Sequence, residues 1–368
     1  MPRRSLLPLL LAGGLAACTP LGTTGIGVHH AGRNSTSAAA SPSPSPVYAP
    51  PPLSLTRLFH PSAGPVAPDA SHLRTLVVTG DMIPARMVNV ESTRRGDFLW
   101  PYRPTSAFVA NADITFTNLE TPLFSGCPEY ETGFTFCGDS RFIDGLSLDG
   151  VDVANIANNH SGNFGTEGID KTVALLDAHG IKHTGLGPPA IVDVRGLKFA
   201  FLGFNGVGQR IDREALKEGI QYARSLADVV VVQFHWGEEY QPLPVPAPGL
   251  APDDPVQIGH LAIDDGADLV IGNHPHWIQP IEIYKGKLIT YAHGNFIFDQ
   301  TWSVETMQGV VGTYTFYDKQ LISASWKPVQ IVGWGQATWM ADAPAAKILQ
   351  TMEDRSKQLA AKRGEPTA

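Results

Sequence analysis

Five times along this chain a short apolar run, rich in β-branched residues, stops at a polar side chain able to bind an ion. Thr75–Thr79 (T-L-V-V-T) gives way to Gly80-Asp81, and Asp113–Thr117 (D-I-T-F-T) to Asn118-Leu119-Glu120. Val151–Ala157 runs into Asn158-Asn159-His160, and Asp228–Phe234 (D-V-V-V-V-Q-F) into His235. Asp268–Ile271 leads to Gly272-Asn273-His274-Pro275-His276. Runs of this length and composition read as strands buried on both faces. Helical stretches lie among them at about 168–179, 214–225 and 255–265; Gly180 is placed to end the first, and Asp253 or Asp254 to cap the last. Alternation of strand and helix predicts a mostly parallel sheet covered by helices. In such sheets, residues that follow the carboxyl ends of strands meet at one rim, however distant in sequence.

Taken singly, each of these residues has an ordinary use. Asp81 alone would be a turn or N-cap residue, and an isolated H-x-H is more readily two loop histidines paired with carboxylates or water. Taken together, carboxylate, amide and neutral imidazole form a donor set for a divalent transition metal. In an extended segment, residues two apart point to the same side. Pro275 fixes the backbone between the two histidines, so His274 and His276 are expected to face one point.

The amino terminus reads as an export signal. Arg3-Arg4 precede the apolar run Leu6–Leu11 and the ending Leu15-Ala16-Ala17-Cys18, a segment too short to span a membrane. The ending resembles the bacterial lipobox, which implies cleavage before Cys18 and attachment of diacylglycerol to it. From about Ala31 to Ala70 the chain is rich in Ser, Ala and Pro and is expected to form a disordered, extended tether. The expected divisions are a signal peptide at 1–17, a tether at 18–72, a folded domain at 73–340, and a carboxyl-terminal helix and tail at 341–368. Export favours pairing of Cys127 with Cys137, both in the polar loop C-P-E-Y-E-T-G-F-T-F-C. The formal charge of −8, from 27 basic and 35 acidic residues with no basic run, argues against a nucleic-acid partner.

Beyond Gln300 the pattern becomes alternating. Gly309–Tyr317 and Leu321–Val332 are expected to be antiparallel strands closing a second sheet, and Ala343–Lys362 a helix whose charges form a solvated face. Trp236 and Trp277 read as packing or cleft-lining residues, and Phe296 and Phe298 as core.

Six motifs resemble those of the bacterial capsule-synthesis, or CapA-type, family of poly-γ-glutamate biosynthesis. They are G-D-x-x-x-x-R at Gly80-Asp81…Arg86, N-L-E-T-P-L at Asn118–Leu123, A-N-N-H at Ala157–His160, H-W-G-x-E-Y at His235–Tyr240, H-P-H at His274–His276, and G-N-F-x-F-D-Q at Gly294–Gln300. That family is similar to calcineurin-like metallophosphoesterases. The resemblance therefore implies an α/β sandwich of two mixed β-sheets flanked by helices. It implies metal ligation by Asp81, Glu120, Asn159, His235, His274 and His276 to one or two divalent ions (Mn, Zn or Fe), with Glu120 as a bridge. His160 falls at the position of a catalytic acid or substrate-polarising group. Arg86 and Glu239 would bind an anionic group or support the ligands from behind. Asn295, read from its own surroundings, is either a substrate contact or a residue that only ties a loop down through backbone hydrogen bonds. The phosphoesterase D-x-H opening is absent, since Met82 and Ile83 follow Asp81. Asn273 stands where His is common, and Ala292-His293 where Ser-Leu is usual, with His293 expected in the pocket wall or, alternatively, as an extra ligand.

The function implied is that of an extracytoplasmic, lipid-anchored protein of capsule or poly-γ-glutamate biosynthesis. Its metal-dependent, hydrolase-like site would act on a phosphoester, or on an amide or ester of a surface polymer. The alternative is non-catalytic, metal-dependent binding, transport or attachment of that anionic polymer. The implied partners are the polymer, the membrane through the lipid anchor, and other capsule-synthesis membrane proteins.

Overall fold

Fourteen strands, in a computed structural model that describes residues 48–61 and 69–364, stack as two sheets with helices on their outer faces. In chain order they are β1 (Leu73–Met82), β2 (Ile114–Leu119), β3 (Val153–Asn155), β4 (Lys182–Thr184), β5 (Ala190–Val194), β6 (Leu197–Asn205) and β7 (Val229–His235). There follow β8 (Leu269–Asn273), β9 (Ile281–Tyr284), β10 (Lys287–Thr290), β11 (Asn295–Ile297), β12 (Gln308–Tyr317), β13 (Gln320–Val332) and β14 (Gln336–Trp339). The first sheet runs β14-β13-β12-β1-β2-β3-β4, with β11 also paired to β1, and the second runs β5-β6-β7-β8-β10-β9. Both are mixed. Strands β1 to β4 are mutually parallel, as are β6 to β8, whereas β12, β13 and β14 run antiparallel. This is the two-sheet sandwich that the motifs implied.

Strand periodicity explains the layers. Leu76, Val78, Phe116, Phe199, Phe201, Val229, Val231, Leu269 and Ile271 join one core between the sheets. Their sequence neighbours Val77, Ala200, Leu202, Val230, Val232 and Val270 belong to the two outer cores under the helices. Successive side chains of a strand point to opposite faces, so strands buried on both sides must be apolar throughout. His235 shares the parity of Val229 and Val231 and so turns toward the opposite sheet. The rim of β1 is built differently: its register with β2 shifts between Val78 and Asp81, and β11 lies across it there. A Cβ on Gly80 would stand 2.2 Å from the Gly294 carbonyl oxygen, which explains the glycine before Asp81.

Three expectations are corrected. The strands at 308–317 and 320–332 extend the first sheet through the β1–β12 pairing; the second sheet is instead completed by β5, β9 and β10. Within the expected tether, Leu55–Phe59 is a helix whose Leu55 and Leu58 enter the core between the sheets. The carboxyl-terminal helix, Asp342–Lys362, is not simply a solvated face. Its Glu353 is buried and pairs with His60 at 3.0 Å, tying the two ends of the described chain together.

The helix over Pro255–Asp265 is capped by Asp254, which accepts from Val256 N. Cys127 and Cys137 form a disulfide. The expected signal peptide, Cys18 and the first part of the tether lie outside the described residues. Among the described residues, no helix is long and apolar enough to cross a membrane.

A candidate metal centre at the rim of both sheets

The carboxyl ends of β1, β2, β3, β7 and β8 meet where the two sheets face each other, and each leads to one or two of the predicted residues. Asp81 lies near the end of β1, Glu120 just past β2, Asn159 and His160 in the loop after β3, His235 at the end of β7, and His274 and His276 just past β8. Two donor triads form, Asp81–Glu120–His235 and Glu120–His274–His276, with ligand atoms within 4.8 Å of one another in each. Glu120 belongs to both. His235 Nε2 lies 2.9 Å from Asn159 Oδ1 and 3.2 Å from Glu120 Oε1, so an imidazole nitrogen and two oxygens already converge.

Burial makes this arrangement costly without a further partner. Glu120 is fully buried, and neither of its oxygens has a hydrogen-bond partner; the contact with His235 Nε2 is close but misaligned, because that nitrogen points at Asn159. Both ring nitrogens of the fully buried His274 are likewise unpartnered. Orphaned buried polar atoms of this kind are rare in folded proteins. Here they are the donor types that a borderline transition metal takes, so the residues present fit such an ion.

The charges divide sharply. Burial raises the Glu120 carboxyl well above the usual carboxylate range, assisted by the neighbouring Asp81. Burial also lowers His235 to about 3 and His274 well below its ordinary value. For Asp81 burial acts upward, yet His276, His235 and Asn118 outweigh it and hold the group ionised. For His276 burial acts downward, and Asp81, Glu120 and Glu239 outweigh it, raising the imidazole to about 9. Asp81 and His276 thus favour each other as an ion pair, beside groups that burial pushes toward their neutral forms.

The two histidines of H-P-H converge, with ring centroids 5.9 Å apart, but not along an extended segment. Their φ angles are +98° at His274 and +57° at His276. Arg86 at +50° and Tyr240 at +58° share this left-handed region, so four strained non-glycine residues surround one site. Tyr240 N donates to Pro275 O at 2.9 Å, locking the two strained turns to each other.

An amide layer, not anticipated as part of the site, orients these donors. Asn118 Nδ2 and Asn273 Nδ2 both donate to Asp81 Oδ1, at 2.8 and 2.7 Å. Asn118 Oδ1 in turn accepts from Asn155 at 2.9 Å and Asn158 at 3.3 Å, and Gln233 donates to Asn273 Oδ1. The only sequence hint was that Asn118 and Asn158 lie inside the quoted motifs. Asn273 therefore does not ligate in place of the usual His; it orients Asp81.

Asn295 and Arg86 are both engaged by protein partners. Asn295 is fully buried; its Oδ1 accepts from His276 Nδ1 at 2.9 Å while its Nδ2 donates to Gln300 and to Thr306 O. It positions the ring and ties down a loop. Arg86 is also buried, with its guanidinium bonded to Asp299 and to Gly133 O and held between the rings of Phe136 and Phe298. An arginine so engaged is not free to clamp an anion. Glu239 remains partly exposed at the mouth, 4.0 Å from His276 Nε2.

His160 sits beside the donors, its ring 4.1 Å from Phe136. Asn163 Oδ1 accepts both Phe136 N at 2.6 Å and His160 Nδ1 at 2.9 Å, so the histidine's proton is on Nδ1 and Nε2 is left as an acceptor. Burial lowers this imidazole to about 4. His293 forms part of the wall, its Nε2 2.8 Å from the Tyr314 hydroxyl. Where a D-x-H histidine would stand, Ile83 is packed with Ala85, Phe136 and Phe298.

Residues 75–300 match the family model described as "Bacterial capsule synthesis protein PGA_cap". The chain belongs to that family. Similar relatives include the Capsule biosynthesis protein CapA of Bacillus anthracis, 26% identical over 66% of this chain and 64% of that protein. Another is the PGA biosynthesis protein CapA of Bacillus subtilis, 34% identical over 41% of this chain and 43% of that protein. The chain therefore spans less than two thirds of the length of either relative. Among solved structures, a hypothetical protein of Thermus thermophilus aligns over 71% of this chain and 99% of its own, with 14% identity and a TM-score of 0.46.

Proposed function

We propose that this PGA_cap protein acts outside the cytoplasm in capsule or poly-γ-glutamate biosynthesis, as a metal-dependent hydrolase of a surface polymer. It would be tethered to the membrane through diacylglycerol on Cys18. The observation that carries the catalytic part is the shared, fully buried and unpartnered Glu120 between two donor triads. Asp81, Glu120, Asn159, His235, His274 and His276 would hold one or two divalent ions. When bound, such ions supply Lewis acidity and a nucleophile generated from water near neutral pH.

The chain's own groups supply the rest. Asn118 and Asn273 fix the Asp81 carboxylate, and Asn295 fixes the His276 ring. His160 presents a neutral Nε2 able to accept a proton, oriented by Asn163 and by the Phe136 face. Its environment suits a proton acceptor better than the acid role the motif implied.

A second reading rests on Arg86. Its engagement with Asp299 removes the cation that would have steadied a phosphoryl group, which favours an amide or ester bond, or metal-dependent holding of the polymer without cleavage. One comparison separates these readings: metal-loaded wild type and His160→Ala, assayed on γ-linked glutamate polymer and on an aryl phosphate. Hydrolysis, abolished by chelation and by His160→Ala, is the expected result. Metal-dependent polymer binding without turnover, unchanged in His160→Ala, would establish the binding role instead.

A further inference from the structure

We infer that Glu239, Tyr240 and Trp302 form an ammonium-binding subsite at the mouth of the metal centre, one that selects the amino end of a polyanionic chain. The inference rests on the polymer reading above. Trp302 is 56% exposed. Its ring meets that of Tyr240 edge-on, with centroids 6.2 Å apart and planes 77° from parallel, so the two make a corner. The Tyr240 ring lies in turn 6.2 Å from His276, and the Glu239 carboxylate is against the Tyr240 hydroxyl. A carboxylate next to Tyr240, with Trp302 set edge-on to the same ring, offers the chemistry that recognises an ammonium group.

The corner is rigid. Tyr240 is held at φ +58°, and its N–H is bonded to Pro275 O. Gln300 Nε2 donates to the Tyr240 hydroxyl at 3.2 Å. Thr306 Oγ1 donates to Gln300 O at 2.7 Å, and Asn295, the residue that orients His276, donates to Thr306 O at 2.9 Å. Gln279 Nε2 donates to Gln241 O at 3.0 Å and binds the following loop to the H-P-H turn. The subsite and the metal donors therefore share one hydrogen-bonded frame.

Charge decides what enters. Glu239 is the carboxylate left partly exposed at this mouth, and the Arg86 cation is paired with Asp299. Carboxylates along a γ-glutamyl chain are repelled by Glu239, whereas its one cation, the terminal ammonium, is attracted to it. Docking that end at the corner places the first linkages of the chain beside the metal centre and gives the site a direction along the polymer.

Calorimetric titration of metal-loaded protein with γ-linked tetraglutamate, free or acetylated at the amino end, tests this. The free amine should bind about ten-fold tighter. Glu239→Gln should erase that preference and Trp302→Ala should reduce it, with the acetylated form bound no more weakly by either variant than by wild type. Equal affinities in wild type, or a preference surviving both substitutions, would overturn the subsite while leaving the polymer reading intact. If neither oligomer binds, the polymer reading fails, and n-butylammonium against n-butanol decides the subsite. Shift of one indole NMR signal by the ammonium alone, absent in Glu239→Gln, would keep it; no shift would end it.

Discussion

Asn273 Nδ2 donates to Asp81 Oδ1 at 2.7 Å, joining the rim of one sheet to the rim of the other. The bond spans 192 positions of sequence and fixes the carboxylate that also faces His276. Amides behind metal ligands commonly set affinity by ten- to a hundred-fold. Asn273→Ala should therefore weaken divalent-metal affinity by about ten-fold or more, read by competition with a chromogenic chelator, with the far-ultraviolet circular dichroism unchanged. Unchanged affinity would mean that Asp81 needs no such support.

The pair of Arg86 with Asp299 locks the loop after β1 to the segment after β11, and through Gly133 O to the disulfide loop. Removing one member of a buried pair leaves an uncompensated charge. Arg86→Met should cost about 3–5 kcal/mol of unfolding free energy in urea. Asp299→Asn in addition should recover part of that loss. A single-variant cost below about 1 kcal/mol would contradict a structural role for the pair.

Opening the disulfide should be milder. Cys127→Ser with Cys137→Ser removes a bridge of sequence separation 10 and should cost about 2–3 kcal/mol. It should also release Phe136 from the His160 ring, seen as a histidine proton signal moving toward its free-imidazole position.

Asp149 gives a pH signature remote from the metal donors. Burial raises its carboxyl well above the ordinary value of 3.8, and neither oxygen has a hydrogen-bond partner. With the folded value raised, the unfolded chain ionises first as pH rises, so this contribution to stability is full below about 4 and is lost toward the folded value. Asp149→Asn should exceed wild type in stability at pH 7, by about 1 kcal/mol or more, with the gap closing as pH falls toward 4. Urea midpoints of both proteins across that range would show it; a gap independent of pH would refute it.

That these candidate donors converge was legible because each follows an apolar run, and in this architecture such positions share a rim. Other features left little local trace. Nothing in Gly309–Tyr317 says that its partner is the far edge of β1, because pairing across that distance has no periodic signature. H-P-H announced convergence, but its left-handed backbone depends on Tyr240 and Asp81, which are remote in sequence. The asparagine layer was hidden for a similar reason. Asn caps, turns and bonds in so many contexts that Asn118, Asn155 and Asn273 gain meaning only when Asp81 stands between them. The helix at Leu55–Phe59 was masked by its Pro-rich surroundings, although two leucines three apart are what it buries.

Elemental analysis of the purified protein, before and after chelation and alongside His274→Ala, tests the central claim most directly. Wild type should carry at least one divalent transition metal per chain, lose thermal stability on chelation, and regain it with Mn, Zn or Fe. His274→Ala should bind less and respond little to the chelator. A wild-type protein that takes up none of these ions and melts at the same temperature with and without chelator would contradict the proposed centre.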